Sequence, residues 1–67
     1  MTIHVNDVPR DLAAGTTLAA LLAELGHADR KGLAVALNDE VAPRATWPDR
    51  VLNDRDRILI IRATQGG

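Results

Sequence analysis

The sequence predicts an α+β fold in which one main helix lies across one face of a mixed, four- to five-stranded sheet. Two observations lead to this class: the alternation of apolar and polar residues in short segments, and a single stretch of helical periodicity between them. Two of the alternating segments precede the helical stretch and two follow it. Because a single helix covers only one face of a sheet, the expected arrangement is a two-layer domain of order β-β-α-β-β, with room for one more short strand. The 67 residues suffice for one such domain.

The N-terminal segment is predicted to form a hairpin. Ile3 and Val5 alternate with polar neighbours, as in a half-buried strand. The letters N-D-V-P at residues 6–9 are typical of a turn, and R-D-L at residues 10–12 is the expected returning strand.

A helix is predicted over residues 18–25. Thr16 or Thr17 can cap it, because a threonine oxygen accepts a hydrogen bond from a free backbone N–H group. Gly26 is the expected left-handed stop. The helix carries one apolar stripe, formed by Leu18, Leu21, Leu22 and Leu25.

The C-terminal half supplies the remaining strands. L-A-V-A-L-N at residues 33–38 alternates large and small side chains and is the third strand, ended by the turn residues Asn38 and Asp39. V-A-P-R-A-T-W-P contains two prolines, so we expect a short edge piece that leads into an irregular corner. Val51 and Leu52 are expected to pack inward, and R-I-L-I-I-R-A is the last strand.

Composition argues against several classes of function. Eight basic and nine acidic residues give a net charge of −1, which lacks the excess of positive charge that nucleic-acid binding requires. There is no cysteine, and His4 and His27 each lack a companion at metal-ligand spacing. No apolar run approaches the ~20 residues of a membrane span, and the first residues do not resemble a signal peptide. We therefore expect a cytoplasmic protein that binds no metal, nucleic acid or membrane.

The last strand has apolar side chains on both faces. Ile58 and Ile60 point one way, and Leu59 and Ile61 point the other. We expect the first pair to face the helix together with the apolar residues of the first strand, Ile3 and Val5. Exposing rather than burying such a side chain costs about 1.5–3 kcal/mol. Leu59 and Ile61 are therefore either scattered surface residues, which are common, or part of a docking face.

A neighbouring strand and the C-terminal residues extend the docking hypothesis. Ala34 and Ala36 would make the same face flat. Gly66 and Gly67 lack a Cβ, so a tail ending in them can thread a narrow tunnel in a partner enzyme. The α-carboxylate at its end accepts sulfur or an amine only after conversion to a mixed anhydride such as an acyl-adenylate. We divide the chain into a domain at residues 1–63 and a flexible tail at 64–67.

Three segments resemble the thiamine-biosynthesis sulfur carrier family, ThiS. They are G-T-T-L-A-A-L-L at residues 15–22, L-A-V-A-L-N-D-E-V-A-P-R-A-T-W at 33–47, and L-N-D-R-D-R-I-L-I-I at 52–61, followed by the terminal Gly-Gly. The block from Ala36 to Trp47 together with the two glycines is the specific part. Arg55 departs from the pattern, since glycine often occupies this turn position in the family. A positive φ there would cost arginine roughly 1–2 kcal/mol, unless Asn53 takes the unusual dihedral instead.

The resemblance implies a ubiquitin-like β-grasp fold and a sulfur cycle. A ThiF-like adenylyltransferase would activate Gly67 with ATP and magnesium, a sulfur donor system would convert the adenylate to a thiocarboxylate, and a ThiG-like thiazole synthase would take the sulfur. The chain itself would be no enzyme and bind no cofactor. The expected site residues are Gly67 for sulfur attachment, Gln65 and Gly66 for tail threading, and Leu59, Ile61, Ala34 and Ala36 for partner binding.

Three alternatives remain. The small subunit of molybdopterin synthase uses the same thiocarboxylate, although its tail tends to carry prolines where this chain has R-A-T-Q at residues 62–65. A ubiquitin-like protein modifier would instead join Gly67 to a lysine. A plain interaction domain would leave the tail idle. The modifier would use the same residues as a thiazole sulfur carrier and differs from it only in the acceptor, which the sequence does not settle.

Overall fold

A five-stranded mixed sheet and one α-helix make up most of the chain that the structure describes, residues 1–27 and 32–62. The structure is a computed structural model. The strand order is β2-β1-β5-β3-β4, with β1 parallel to β5 and all other neighbours antiparallel. The elements along the chain are β1 (Thr2–Val5), β2 (Val8–Asp11), α1 (Leu18–Glu24), β3 (Leu33–Leu37), β4 (Glu40–Val41), a 3₁₀ helix (Arg44–Asp49) and β5 (Arg57–Arg62). The predicted fold class is confirmed, and β4 is the additional short strand.

The first hairpin is tighter than predicted. Its turn contains only Asn6 and Asp7, with φ of 50° and 68°, which is the type I′ geometry of two-residue loops. β2 therefore begins at Val8, and the prediction that residues 8 and 9 belong to the turn was wrong. Pro9 is tolerated because β2 is an edge strand and Pro9 lies opposite His4, where the two strands exchange no backbone hydrogen bonds.

The helix begins and ends as the sequence predicts. Thr17 is the N-cap, and its hydroxyl oxygen accepts a hydrogen bond of 3.1 Å from the N–H of Ala20. Gly26 has φ of 83° and donates to the carbonyl of Ala23 at 3.0 Å, so the left-handed stop is confirmed. The apolar stripe faces the sheet: Leu18, Leu21 and Leu22 are buried and Leu25 packs at the margin of the core.

The proline-containing corner is a 3₁₀ helix rather than an irregular segment. Trp47 is its buried residue, and the indole N–H donates to the carbonyl of Ala42 at 2.8 Å. The prediction that Val51 and Leu52 both pack inward was correct for only one of them. Leu52 is buried but Val51 is exposed, because successive side chains of an extended segment point to opposite sides. The buried apolar residues are Ile3, Leu12, Leu18, Leu21, Leu22, Val35, Leu37, Ala42, Trp47, Leu52 and Ile58.

Candidate docking face and the last strand

β5 is the central strand of the sheet, and its side chains alternate between two environments. Ile58 is 2% exposed and Ile60 is half-buried against the core, whereas Leu59 is 49% and Ile61 52% exposed. Ile3 and Val5 of β1 lie on the covered side with Ile58. The predicted orientation of the last strand is confirmed, and its two exposed apolar residues lie on the face opposite α1.

Neighbouring strands extend these two residues into a continuous surface. Ala36 lies opposite Leu59 in the antiparallel register and Ala34 lies opposite Ile61. Opposed residues of neighbouring strands share a face, and Val41 of β4 lies opposite Ala36 in turn. We call this surface the open face and define it by its five apolar residues, Ala34, Ala36, Val41, Leu59 and Ile61.

Val41 is the member of the open face that the sequence analysis missed. At 79% it is the most exposed of the large apolar side chains that the structure describes. A strand of two residues is too short for its alternation to show which face a side chain takes. The information that places Val41 on this face lies in the neighbouring turn. Asn38 and Asp39, with φ of 51° and 70°, form a two-residue loop that fixes the register of β4 on β3.

A groove lined by both polar and apolar side chains adjoins one end of the open face. Arg57 and Leu59 form its base, His4 and Asp7 line one side, and Asp39 lines the other, around a volume of about 410 Å³. The guanidinium of Arg57 donates to the carboxylate of Asp39 at 2.6 Å. The apolar surface is therefore bordered by hydrogen-bonding groups, the usual composition of a protein–protein contact.

The turn before β5 holds the start of this strand in place. Arg55 has φ of 71° and donates its N–H to the carbonyl of Thr2 at 2.7 Å. Asn53 is not among the residues of positive φ, so arginine itself adopts the left-handed conformation. The buried carboxylate of Asp56 accepts from the N–H of Asn53 at 2.7 Å and from the side-chain amide of Asn38 at 3.0 Å.

The end of β5 is held on both edges. β3 pairs with it as far as Arg62, opposite Leu33. On the β1 side, the N–H of Asn6 donates to the carbonyl of Ile58 at 2.9 Å. Beyond that point the Asn6 side chain replaces the missing strand: its Oδ1 accepts from the N–H of Ile60 at 2.8 Å, and its Nδ2 donates to the Ile60 carbonyl at 3.4 Å.

Some of the predicted site residues fall outside the described part of the chain. Gln65, Gly66 and Gly67, and the boundary placed between residues 63 and 64, lie outside the described residues. Within residues 1–27 and 32–62, no three His, Cys, Asp or Glu side chains are grouped so as to hold a metal ion. The same residues form no helix of the length and apolarity that a membrane crossing requires.

Comparison with known proteins adds evidence from relatives. Residues 3–67 match the model of the ThiS family. The chain is 36% identical over 67 residues to the sulfur carrier protein ThiS of Escherichia coli, and the match covers 100% of both chains. The crystal structure of the thiamine biosynthesis protein ThiS from Geobacter metallireducens superimposes with a TM-score of 0.85 at 28% identity, covering 100% of each chain. This likeness confirms the predicted β-grasp fold.

A second kind of relative is a larger protein. The thiazole synthase of Magnetococcus marinus is 42% identical to this chain over 67 residues. The match covers 100% of this chain and 20% of that protein. A segment similar to this small domain is thus part of the polypeptide of a thiazole synthase.

Proposed function

The chain belongs to the ThiS family of sulfur carriers in thiamine biosynthesis, and we propose that it carries sulfur as a thiocarboxylate on Gly67. The observation that carries this proposal is the extent of the family match, which runs to residue 67 and includes both terminal glycines. A carrier without cysteine has no thiol on which to hold sulfur. The terminal carboxylate, once activated, is a carbon centre that can hold sulfur in place of oxygen.

The proposed chemistry takes place in a partner enzyme. The Gly67 carboxylate attacks the α-phosphorus of ATP in a ThiF-like adenylyltransferase, a carbon–oxygen–phosphorus linkage forms, and pyrophosphate leaves. A sulfur nucleophile at the sulfide oxidation level, supplied by a donor system, then attacks the acyl carbon. The carbon–sulfur bond forms as the carbon–oxygen bond to AMP breaks. ATP and magnesium belong to that partner, and the carrier supplies the carboxylate and the surface that is recognised.

The open face is the proposed recognition surface. Exposed Leu59, Ile61 and Val41 provide apolar area, while Ala34 and Ala36 keep the centre flat. β5 presents this surface and ends at Arg62, five residues before Gly67 in the sequence, so the proposal couples docking and tail delivery through β5. A thiazole synthase that contains a carrier-like segment in its own chain supports thiazole synthase as the second partner.

Mass spectrometry tests the proposal. The purified protein, incubated with the adenylating enzyme, ATP, magnesium and sodium sulfide, should gain the mass difference between one sulfur and one oxygen. Fragmentation should place the gain on Gly67, and addition of thiazole synthase with its small substrates should return the original mass. Adducts to lysines of other proteins without any thiocarboxylate would instead identify a protein modifier. Sulfur consumed by a molybdopterin precursor system but not by thiazole synthase would identify the other rival.

Substitutions in the tail sharpen the same test. Gly67→Val should reduce adenylation by at least about 100-fold, because a side chain displaces the reacting carboxylate in a narrow tunnel. Thermal stability should be unchanged. Gln65→Ala is the matched control: this position of the tail already carries a side chain, so the smaller alanine adds no bulk and the variant should react like the unmodified sequence. Adenylation of the Gly67→Val variant at the parent rate would show that no narrow tunnel selects glycine.

A further inference from the structure

Two asparagines at the start of the two hairpin turns bond to opposite ends of β5. Asn6 and Asn38 have nearly the same backbone conformation, with φ of 50° and 51°. The side-chain oxygen of Asn38 accepts from the N–H of Arg57, the first residue of β5, at 2.9 Å. That of Asn6 accepts from the N–H of Ile60, two residues before the strand ends, at 2.8 Å. The two residues are thus equivalent in their turns and differ in which end of β5 they hold.

Asn6 is the last contact of β5 on the β1 side within the described residues. Backbone pairing between these strands stops with the bond from the N–H of Asn6 to the carbonyl of Ile58. The chain then turns away into β2, so the next backbone groups on this edge, those of Ile60, have no strand beside them. The Asn6 amide meets both of them, at 2.8 and 3.4 Å. The side-chain amide of Asn6 thus takes the place of the next backbone residue of a neighbouring strand.

We infer that Asn6 is a positioning residue for the sulfur-carrying terminus: it fixes the direction in which the chain leaves the sheet at Arg62. The inference rests on the proposed function, since exit direction matters only if Gly67 is delivered to a reaction site. Without the Asn6 side chain, the end of β5 would be paired only with β3, on one edge. A strand end paired on one edge can change its direction more freely than one paired on both. Fixing the second edge narrows the range of directions before the carrier meets its partner, which reduces the entropy lost on reaching the reactive geometry.

Glycine substitutions isolate the two amides. Asn6→Gly and Asn38→Gly both preserve the positive φ of the turn, because glycine adopts it without strain. Each removes one side-chain amide and its hydrogen bonds; in Asn38→Gly these include the bond donated to the carboxylate of Asp56 as well as the one accepted from Arg57. Exchange of the Ile60 amide proton, followed by NMR, should accelerate by about two- to tenfold in Asn6→Gly, as expected for loss of one exposed hydrogen bond. In Asn38→Gly the Arg57 amide should accelerate instead, and the Ile60 amide should not.

Activation kinetics provide the functional readout. Pyrophosphate release is measured with the adenylating enzyme, ATP and magnesium while the carrier concentration is varied. For Asn6→Gly, kcat should fall by about 10- to 100-fold, the cost of a displacement on the order of an ångström. KM for the carrier should stay unchanged, because β3 still holds the open face in place. Asn38→Gly should keep the parent kcat, and Asn6→Asp, which retains the acceptor for the Ile60 N–H, should recover part of the loss.

The outcomes separate this inference from the proposed function. Equal kcat values for the parent, Asn6→Gly and Asn38→Gly would overturn the positioning role. A higher KM with unchanged kcat would also overturn it, since Asn6 would then be a docking contact. If the unsubstituted carrier releases no pyrophosphate, the proposed function fails instead. In that case the comparison of Ile60 exchange still decides whether Asn6 holds the end of β5.

Discussion

The two faces of β5 contain nearly the same chemistry and have opposite environments. Ile58 and Ile60 on one face pack against the core, whereas Leu59 and Ile61 on the other face are half exposed. All four are branched aliphatic side chains of equal size, so hydrophobicity alone does not separate them. The difference arises because α1 covers one side of the sheet and no described element covers the other.

This difference assigns separate tasks to alternate residues of one strand. The covered face contributes to the free energy of unfolding, and the open face leaves apolar area exposed, which the proposed docking role uses. Since the tasks alternate at a spacing of one residue, neighbouring substitutions should change different measurements. Single substitutions on the two faces therefore test whether stability and docking are separable.

Ile58→Ala should have the largest effect. Truncation of this buried side chain should lower the free energy of unfolding by about 2–5 kcal/mol, through lost transfer energy and the cavity that remains. Urea denaturation followed by circular dichroism measures the change. Ile60→Ala is the natural companion and should cost less, because Ile60 is only half-buried. A loss below about 1 kcal/mol at Ile58 would mean that the covered face is not the core of the fold.

Leu59→Asp should weaken docking while preserving the fold. The free energy of binding to the adenylating enzyme should become less favourable by about 1.5–3 kcal/mol, which is what burial of one leucine side chain contributes. Calorimetric titration measures this change. The free energy of unfolding should change by at most about 1 kcal/mol. Val8→Asp is the matched control: Val8 is 62% exposed but lies opposite Val5, on the other side of the sheet. Equal losses of affinity in both variants would remove the open face as the docking surface.

Arg55→Gly should have a small effect of opposite sign. Arginine at φ of 71° is strained, and glycine relieves this strain. The higher entropy of glycine in the unfolded chain offsets part of the gain, so we expect a net stabilisation of about 0.5–1 kcal/mol in thermal unfolding. Arg55→Ala retains the Cβ and should give no gain. Docking should be unaffected in both variants, because the residue belongs to neither face of β5; a change in affinity would contradict this.

Features set by short-range pattern were predictable from the sequence. The leucine stripe of α1, its cap at Thr17 and its stop at Gly26 follow from local spacing and backbone preference. The alternation of Ile58 and Leu59 is equally local, so the exposure of Leu59 and Ile61 could be inferred from the order of the amino acids alone. The assignment of Gly67 came from a resemblance and from the chemistry of a terminal carboxylate.

Features set by pairing partners were not predictable in the same way. Pro9 lies inside β2 because that strand is at the edge of the sheet, which no local pattern reveals. Val51 pairs with Thr17, a residue far away in the sequence, and this pairing fixes which of the neighbouring side chains Val51 and Leu52 points inward. Val41 belongs to the open face only through its register on β3. The hydrogen bonds of the Asn6 side chain to Ile60 likewise depend on where β1 ends beside β5.

The position of β5 also has a consequence for the folding of the chain. It occupies the middle of the sheet, although it is the last of the five strands in sequence. The hairpins β1–β2 and β3–β4 close locally and quickly, but an isolated two-stranded hairpin is only marginally stable. They join only when residues 57–62 insert between them, a step of long-range contacts that slows folding. During synthesis the open face is therefore incomplete until β5, which contributes Leu59 and Ile61, has been made. A partner that docks on this face, as we propose, would bind only chains that have completed their sheet.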